Sequence, residues 1–331
     1  MQRSILWRWA AALALLLPAA CSDPNDWNNA SANVVGRQPW LTQDFEQLRL
    51  NAPALDELGM SVGKVRPFIL QKNSLTVISE YTGGSAILLD RYGTVALTNH
   101  QSKLAMADFV FIEFTNPKTG SVLAFKANIE FVDESLDLSF ATIVDSSELS
   151  FGISDGFVKP VTWGQTQYGK SAGVRIISGG YPGDKAKLLH ATPGVIYKFY
   201  DSRIQSGKLV ACRLLGEGNI YDGMSGGFVT DSAGKTFLGQ LTGAMDKRFK
   251  FLISYVTLFF TPSEAIYNSY RIRYPHRAKD NPFPDFDERS MPDSCKDHAV
   301  PYQPPRSSRP LDTVAAPNSY APANIDVLSP R

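Results

Sequence analysis

Three short stretches of the chain hold side chains that could work together on a carbonyl group. Thr94 to His100 reads TVALTNH and sets a histidine at a strand end. Asp133 to Phe140 reads DESLDLSF and sets Asp137 ahead of an apolar run. Gly223-Met224-Ser225-Gly226-Gly227 places a serine in a glycine loop just before another apolar run. A serine hydroxyl is a weak nucleophile until a neighbour takes its proton. A neutral imidazole, with a reference pKa of about 6.5, can do so near neutral pH. A carboxylate on the other ring nitrogen fixes the tautomer and stabilises the imidazolium. His100 lies 37 residues before Asp137, and Asp137 lies 88 before Ser225.

Each residue has rivals. His190, His276 and His298 compete for the base, but His276 and His298 sit in or beside a proline-rich tail, and His190 follows the candidate acid. Among the histidines, His100 alone stands at a strand end upstream of both partners. Asp133 and Asp145 compete for the acid. Asp133 reads as a solvated turn residue, whereas Asp137 opens an apolar run, which suits a carboxylate at the edge of a core. Ser225 alone could be an ordinary hairpin residue, since Gly-x-Ser-Gly-Gly also occurs in flexible loops.

The elements that must position these residues read as strands. From Leu75 onward, short apolar runs alternate with turn residues. They span 75–81, 85–89, 94–98, 109–114, 122–131, 138–144, 174–178, 194–200, 209–215, 228–230, 236–241 and 251–260. Strands at this spacing with Gly and Pro turns suggest an antiparallel sandwich or barrel. One helix signal is clear. Thr261-Pro262-Ser263-Glu264 offers an N-cap Thr, a Pro at the first helical position and a Glu three residues after the cap, a capping box. That helix should run to about Arg271. The packed domain is expected over 65–275. Residues 276–331 hold 10 of the 21 prolines and no apolar period, so they read as an extended or disordered tail.

Composition narrows the partners. The 331 residues carry 33 Lys and Arg against 32 Asp and Glu, a net charge of +1. A near-neutral chain has no global field for nucleic acid, so no nucleic-acid partner is expected. Three cysteines and four histidines without ligand spacing suggest no metal and no cofactor. Arg3 and Arg8 precede WAAALALLL, Trp9 to Leu17, an apolar run that suits a signal peptide over 1–20 and is too short to span a bilayer. Pro18-Ala19-Ala20-Cys21 resembles the bacterial lipobox, which implies an acylated Cys21, a membrane partner through that lipid and a place in the bacterial envelope, with secretion if the lipid is absent. Residues 21–64 then read as a tether, Ser22 to Gln38 being rich in Asn, Ser, Asp and Ala. Cys212 and Cys295 remain. They could pair in an oxidising compartment, but the placement of Cys295 in the tail favours two free thiols.

The three stretches together resemble the chymotrypsin-fold (trypsin-like) serine peptidases in their bacterial exported branch. The order His, Asp, Ser is that family's. Leu97-Thr98-Asn99-His100, Asp137-Leu138 and Gly223-x-Ser225-Gly226-Gly227 look like its three motifs, and Gly180-Tyr181-Pro182-Gly183 looks like a turn of its second barrel. Met224 and Phe228 depart from the pattern, which commonly has Asp or Asn and Pro there. The resemblance implies an all-β fold of two antiparallel six-stranded Greek-key barrels with a C-terminal helix, the active site between them. It covers about 200 residues and leaves no room for a C-terminal peptide-binding domain. It implies a serine endopeptidase with His100, Asp137 and Ser225 as catalytic residues and protein or peptide substrates. Glycines at 223, 226 and 227 would let the N–H groups of Gly223 and Ser225 converge on an oxyanion. A substrate pocket would be walled by Asn219 to Asp222 and by Leu241, Thr242 and Gly243. No clear acidic residue sits at its base, so a small or medium apolar side chain is expected there. A catalytically silent relative that binds envelope partners is the competing expectation.

Overall fold

The computed structural model describes residues 48, 50, 52–71, 74–77, 84–98, 109–166, 172–182, 189–205, 208–217, 223–247 and 255–301. The described residues form two closed six-stranded antiparallel barrels, as the family resemblance implied. The first contains β1 (Val62–Gln71), β3 (Gly84–Leu88), β4 (Thr94–Leu97), β5 (Phe109–Thr115), β6 (Val122–Asp133) and β7 (Leu138–Ile143), with β2 (Ser74–Val77) hairpinned onto β1. Around the ring β1 pairs β3 and β5, β4 joins β3 to β7, and β6 closes between β5 and β7. The second contains β8 (Arg175–Gly180), β9 (His190–Gln205), β10 (Lys208–Glu217), β11 (Phe228–Asp231), β12 (Phe237–Lys247) and β13 (Tyr255–Pro262). Alternation drives inward packing. In β6, Phe125, Ala127 and Ile129 are buried while Ala124, Lys126 and Asn128 are exposed, the period of two that a strand with one solvated face requires.

Each barrel has its own core, and a third apolar cluster fills the seam between them. Leu55, Trp163, Phe237, Tyr267, Tyr270, Phe283 and Met291 meet there. Trp163 stacks around Tyr267 at 5.3 Å, Phe237 at 5.7 Å and Phe283 at 5.9 Å. This seam draws on segments outside both rings, which corrects the expected boundaries. Helix α1 (Leu55–Gly59) buries Leu55 and Leu58, and β1 begins at Val62, so residues 52–64 belong to the packed domain rather than to a tether. Gly234, at φ +71°, follows β11 and lies so close to Leu55 that a Cβ would come within 2.9 Å of its backbone N. The N-terminal segment is thereby docked on the second barrel. Helix α2 (Ser146–Ser154) follows β7, and its N-cap Asp145 accepts from Glu148 N at 3.0 Å. Asp145 is therefore a cap.

Helix α3 (Ser263–Arg273) forms where expected, but without a capping box. Thr261 is still in β13, opposite Gln240, and its hydroxyl is used elsewhere. Glu264 instead accepts from Thr166 N at 2.6 Å and Thr166 Oγ1 at 2.7 Å. Tertiary partners took both side chains that a local cap would have used.

The tail expected from 276 is ordered to residue 301. Helix α4 (Pro275–Asp280), 3-10 turns at Glu288–Ser290 and Asp293–Cys295, and β14 (Val300–Pro301) form a strap over the seam. Cys295 is bonded to Cys212 of β10, at a Cα–Cα separation of 4.8 Å. At the other barrel, Arg277 Nη1 donates to Thr94 Oγ1 at 2.8 Å, Asn281 Nδ2 donates to Leu89 O at 2.5 Å, and Arg91 and Tyr92 hold Asp280. β14 pairs Val300 with Val132 at the end of β6. The missing apolar period has a plain cause: the strap follows the contour of the seam, dropping Phe283, Met291 and Cys295 into it at irregular intervals. Residues 302–331 lie outside the described residues, as do residues 1–20, expected to be a signal peptide, Cys21 and the segment 22–38.

Candidate functional site

Ser225 sits half-buried in the turn Gly223–Gly227 that leads into β11. Two glycines give the turn its shape, Gly223 at φ +90° and Gly226 at φ +82°, a region that side chains rarely adopt. The turn is held at every point. Gly227 N donates to Met224 O at 2.9 Å, Gly226 N to Leu241 O at 2.7 Å and Leu241 N to Gly227 O at 2.9 Å. Gln240 Nε2 donates to Gly226 O at 3.2 Å. The Met224 side chain is buried in the second-barrel core, which accounts for an apolar residue beside the serine. Gly227 runs against β8, and a Cβ there would lie 2.0 Å from Gly179 O.

The first barrel reaches this turn through a strand-ladder position. On β3, Leu88 N bonds toward β1, to Ser61 O, and Leu89 N bonds toward β4, to Thr94 O. Alternation then points the N–H of Ser85 toward β4 as well. β4 ends at Leu97, before it can supply a partner there. The carbonyl of Ser225 takes that place, accepting from Ser85 N at 2.8 Å. The fully buried Ser85 hydroxyl accepts from Tyr181 N at 2.8 Å, fixing the end of β8 that walls the serine turn. Sequence reading missed Ser85, and no local pattern marks it, because its role arises from two barrels meeting.

Asp137 closes the turn between β6 and β7, half-buried and at φ +49°. Asp133, expected to be solvated, is 1 % exposed and accepts from Ser135 N, Ser135 Oγ and Leu136 N. It is the clamp of that turn. The second barrel also holds it: Thr261 Oγ1 donates to Leu136 O at 2.9 Å and accepts from Arg213 Nη1 at 2.8 Å. His100, three residues beyond β4, lies outside the described residues, as do Asn219 to Asp222. The structure thus brings the Ser225 turn and the Asp137 turn each against the opposite barrel. Of the rival histidines, His190 is buried in β9, while His276 and His298 are exposed on the strap.

Leu241, Thr242 and Gly243 run along β12 at a register irregularity. Leu241 packs into the second-barrel core, and Thr242 is buried with its hydroxyl donating to Phe259 O at 3.2 Å. Gly243 is the one of the three that is half-open. Burial pushes the Tyr181 phenol up to about 12, so it stays neutral one residue from Gly180. Among the described residues, no group of three or more His, Cys, Asp or Glu could hold a metal ion.

Two closed six-stranded antiparallel barrels make this a chymotrypsin-like fold. Several solved structures are similar to the chain. The HtrA-type protease AlgW, with a decapeptide, matches at a TM-score of 0.50 and 18% identity over 68% of this chain and 68% of that one. Deg5 matches at 0.49 and 19% over 70% and 98%, and the active form of the Rv3671c protease from M. tuberculosis at 0.47 and 17% over 72% and 88%. At these identities the likeness is one of fold. No protein-family model matches the chain, and no curated protein matches it.

Proposed function

We propose that the chain is a serine endopeptidase, exported and held by a lipid on Cys21, that cleaves proteins of the bacterial envelope. The observation that carries this is the Ser225 turn: a half-exposed serine between two positive-φ glycines, tied to the second barrel through Gly226 and Leu241 and to the first through Ser85. Such rigidity serves attack on a carbonyl, because the nucleophile must meet its target at a fixed distance and angle. Ser225 attacks, His100 takes the proton and returns it to the leaving amine, and Asp137 orients the imidazole. The N–H groups of Gly223 and Ser225 receive the oxyanion. Water then releases the acyl-enzyme. Peptide substrates fit the decapeptide found with AlgW. The test is labelling by a fluorophosphonate. Wild type should become labelled and Ser225→Ala should not. A folded, mature wild type that resists the reagent favours a silent binding protein instead.

A further inference from the structure

The carboxylate that shapes the Asp137 turn is gripped from the far end of the chain. Asp133 is 1 % exposed, and a charge buried that deeply needs all its lone pairs used. Its Oδ1 accepts from Ser135 N at 2.9 Å, Ser135 Oγ at 2.7 Å and Leu136 N at 3.0 Å, and these bonds close the turn. Its Oδ2 accepts from His298 N at 3.0 Å, a main-chain donor of the strap. The turn delivers Asp137 at φ +49°, a conformation that a non-glycine residue keeps only where its surroundings impose it.

The strap is fixed on both sides of His298. Three residues earlier, Cys295 is bonded to Cys212 of the second barrel. Two residues later, Val300 pairs with Val132, the neighbour of Asp133. Arg273 braces the stretch between, with an ion pair to Asp297 at 2.8 Å. We propose that the strap is a positioning element for Asp137, acting through Asp133, and that the Cys212–Cys295 bond sets how firmly it holds. This rests on the hydrolase reading with Asp137 as the acid. It adds a dependence of that acid on a segment about 160 residues away in sequence, and through it on thiol oxidation.

A double-mutant cycle tests it on the full chain. Asp133→Asn can keep an amide oxygen toward the three donors at Oδ1 while turning its NH2 against the His298 N–H. With Asp137 present, the maximal rate of fluorophosphonate labelling should fall about tenfold to a hundredfold, the scale of a misplaced catalytic group, with the half-saturating concentration moving less than about twofold. In an Asp137→Asn background the same change should cost less than about twofold, because groups that act as a unit are lost together. Cys295→Ser should show the same pattern with a smaller first loss. Equal losses in both backgrounds overturn the proposal. So does full activity of folded Asp133→Asn and Cys295→Ser, and so does failure of both variants to fold, which would confine the strap to a folding role. An unlabelled wild type instead overturns the hydrolase reading, and this inference with it.

Discussion

Replacing Ser85 by alanine should separate catalysis from folding at the joint between the barrels. The main-chain bond from Ser85 N to Ser225 O survives the change, since it does not involve the side chain. What is lost is the acceptor for Tyr181 N, now 2.8 Å away. Ser85 is 0 % exposed, so no water can reach the orphaned donor without movement. A buried N–H left unpaired costs about 1–3 kcal/mol. At roughly 2–4 °C per kcal/mol for a domain of this size, the melting temperature should fall by about 2–12 °C. The strained segment is Gly179 to Tyr181, and it abuts the serine turn: a Cβ on Gly180 would lie 3.0 Å from Met224 O and 3.3 Å from Gly227 Cα. Relief of the orphaned bond should therefore shift the turn, and a shift approaching 1 Å can cost on the order of 100-fold in rate. The assay is the labelling rate at 20 °C, well below melting, beside a thermal melt of the same sample. Leu149→Ala, in the core of the first barrel, supplies a control that is destabilised without touching the joint. A normal labelling rate in Ser85→Ala, or an equal loss in the control, would refute the coupling.

Other expectations follow from the structure and from the proposed function. Removing both cysteines, as Cys212→Ala with Cys295→Ala, opens a loop of 83 residues, for which chain entropy gives about 4–5 kcal/mol. Melting should drop by about 10 °C or more, and a change under about 3 °C would show that the strap holds without its bond. Because His100 must be neutral to accept the serine proton, activity should rise with pH through a midpoint of about 6–7. Asp137→Asn should lower the rate roughly 10⁴-fold and move that midpoint down, since a nearby anion favours imidazolium. A profile flat from pH 5 to 9 would contradict the base. Cys21→Ser should release the protein from membranes and abolish palmitate incorporation, and equal membrane retention in the mutant would contradict the anchor.

The strands from β2 to β13 were legible because each obeys a rule that local sequence can express; β1 (Val62–Gln71) was not, because Lys64, Arg66 and Pro67 break its apolar run. In β6 half-burial writes the alternation, and in β4 full burial writes the unbroken run Thr94–Leu97. The Ser225 and Asp137 turns were legible for a different reason, since glycines and a carboxylate before an apolar run mark chain reversals. What was not legible depends on contacts between distant segments. Prolines in the strap looked like signs of disorder. Yet Pro292 precedes the turn that delivers Cys295. Asp133 looked solvated because its fourth partner, His298 N, is far away in sequence. Thr261 matched a capping pattern and became a strand residue, because Leu136 and Arg213 of other elements claim its hydroxyl.

The strap also gives the molecule a direction in time. A chain made from its N-terminus completes both barrels by Pro262, before Cys295 exists to pair with Cys212. At that moment the seam still lacks Phe283 and Met291, and the β6–β7 turn still lacks its grip from His298. The last described segment to arrive is therefore the one that locks what came before, and it does so by chemistry that a reducing cytosol opposes. A chain kept reduced would carry two finished barrels and an unfastened seam. On the exported reading proposed above, the closed bond would record two past events at once: synthesis as far as Cys295, and passage into an oxidising space. Trapping thiols at intervals after a pulse of synthesis would read that record, with protection of Cys212 appearing only once full-length protein has left the cytosol.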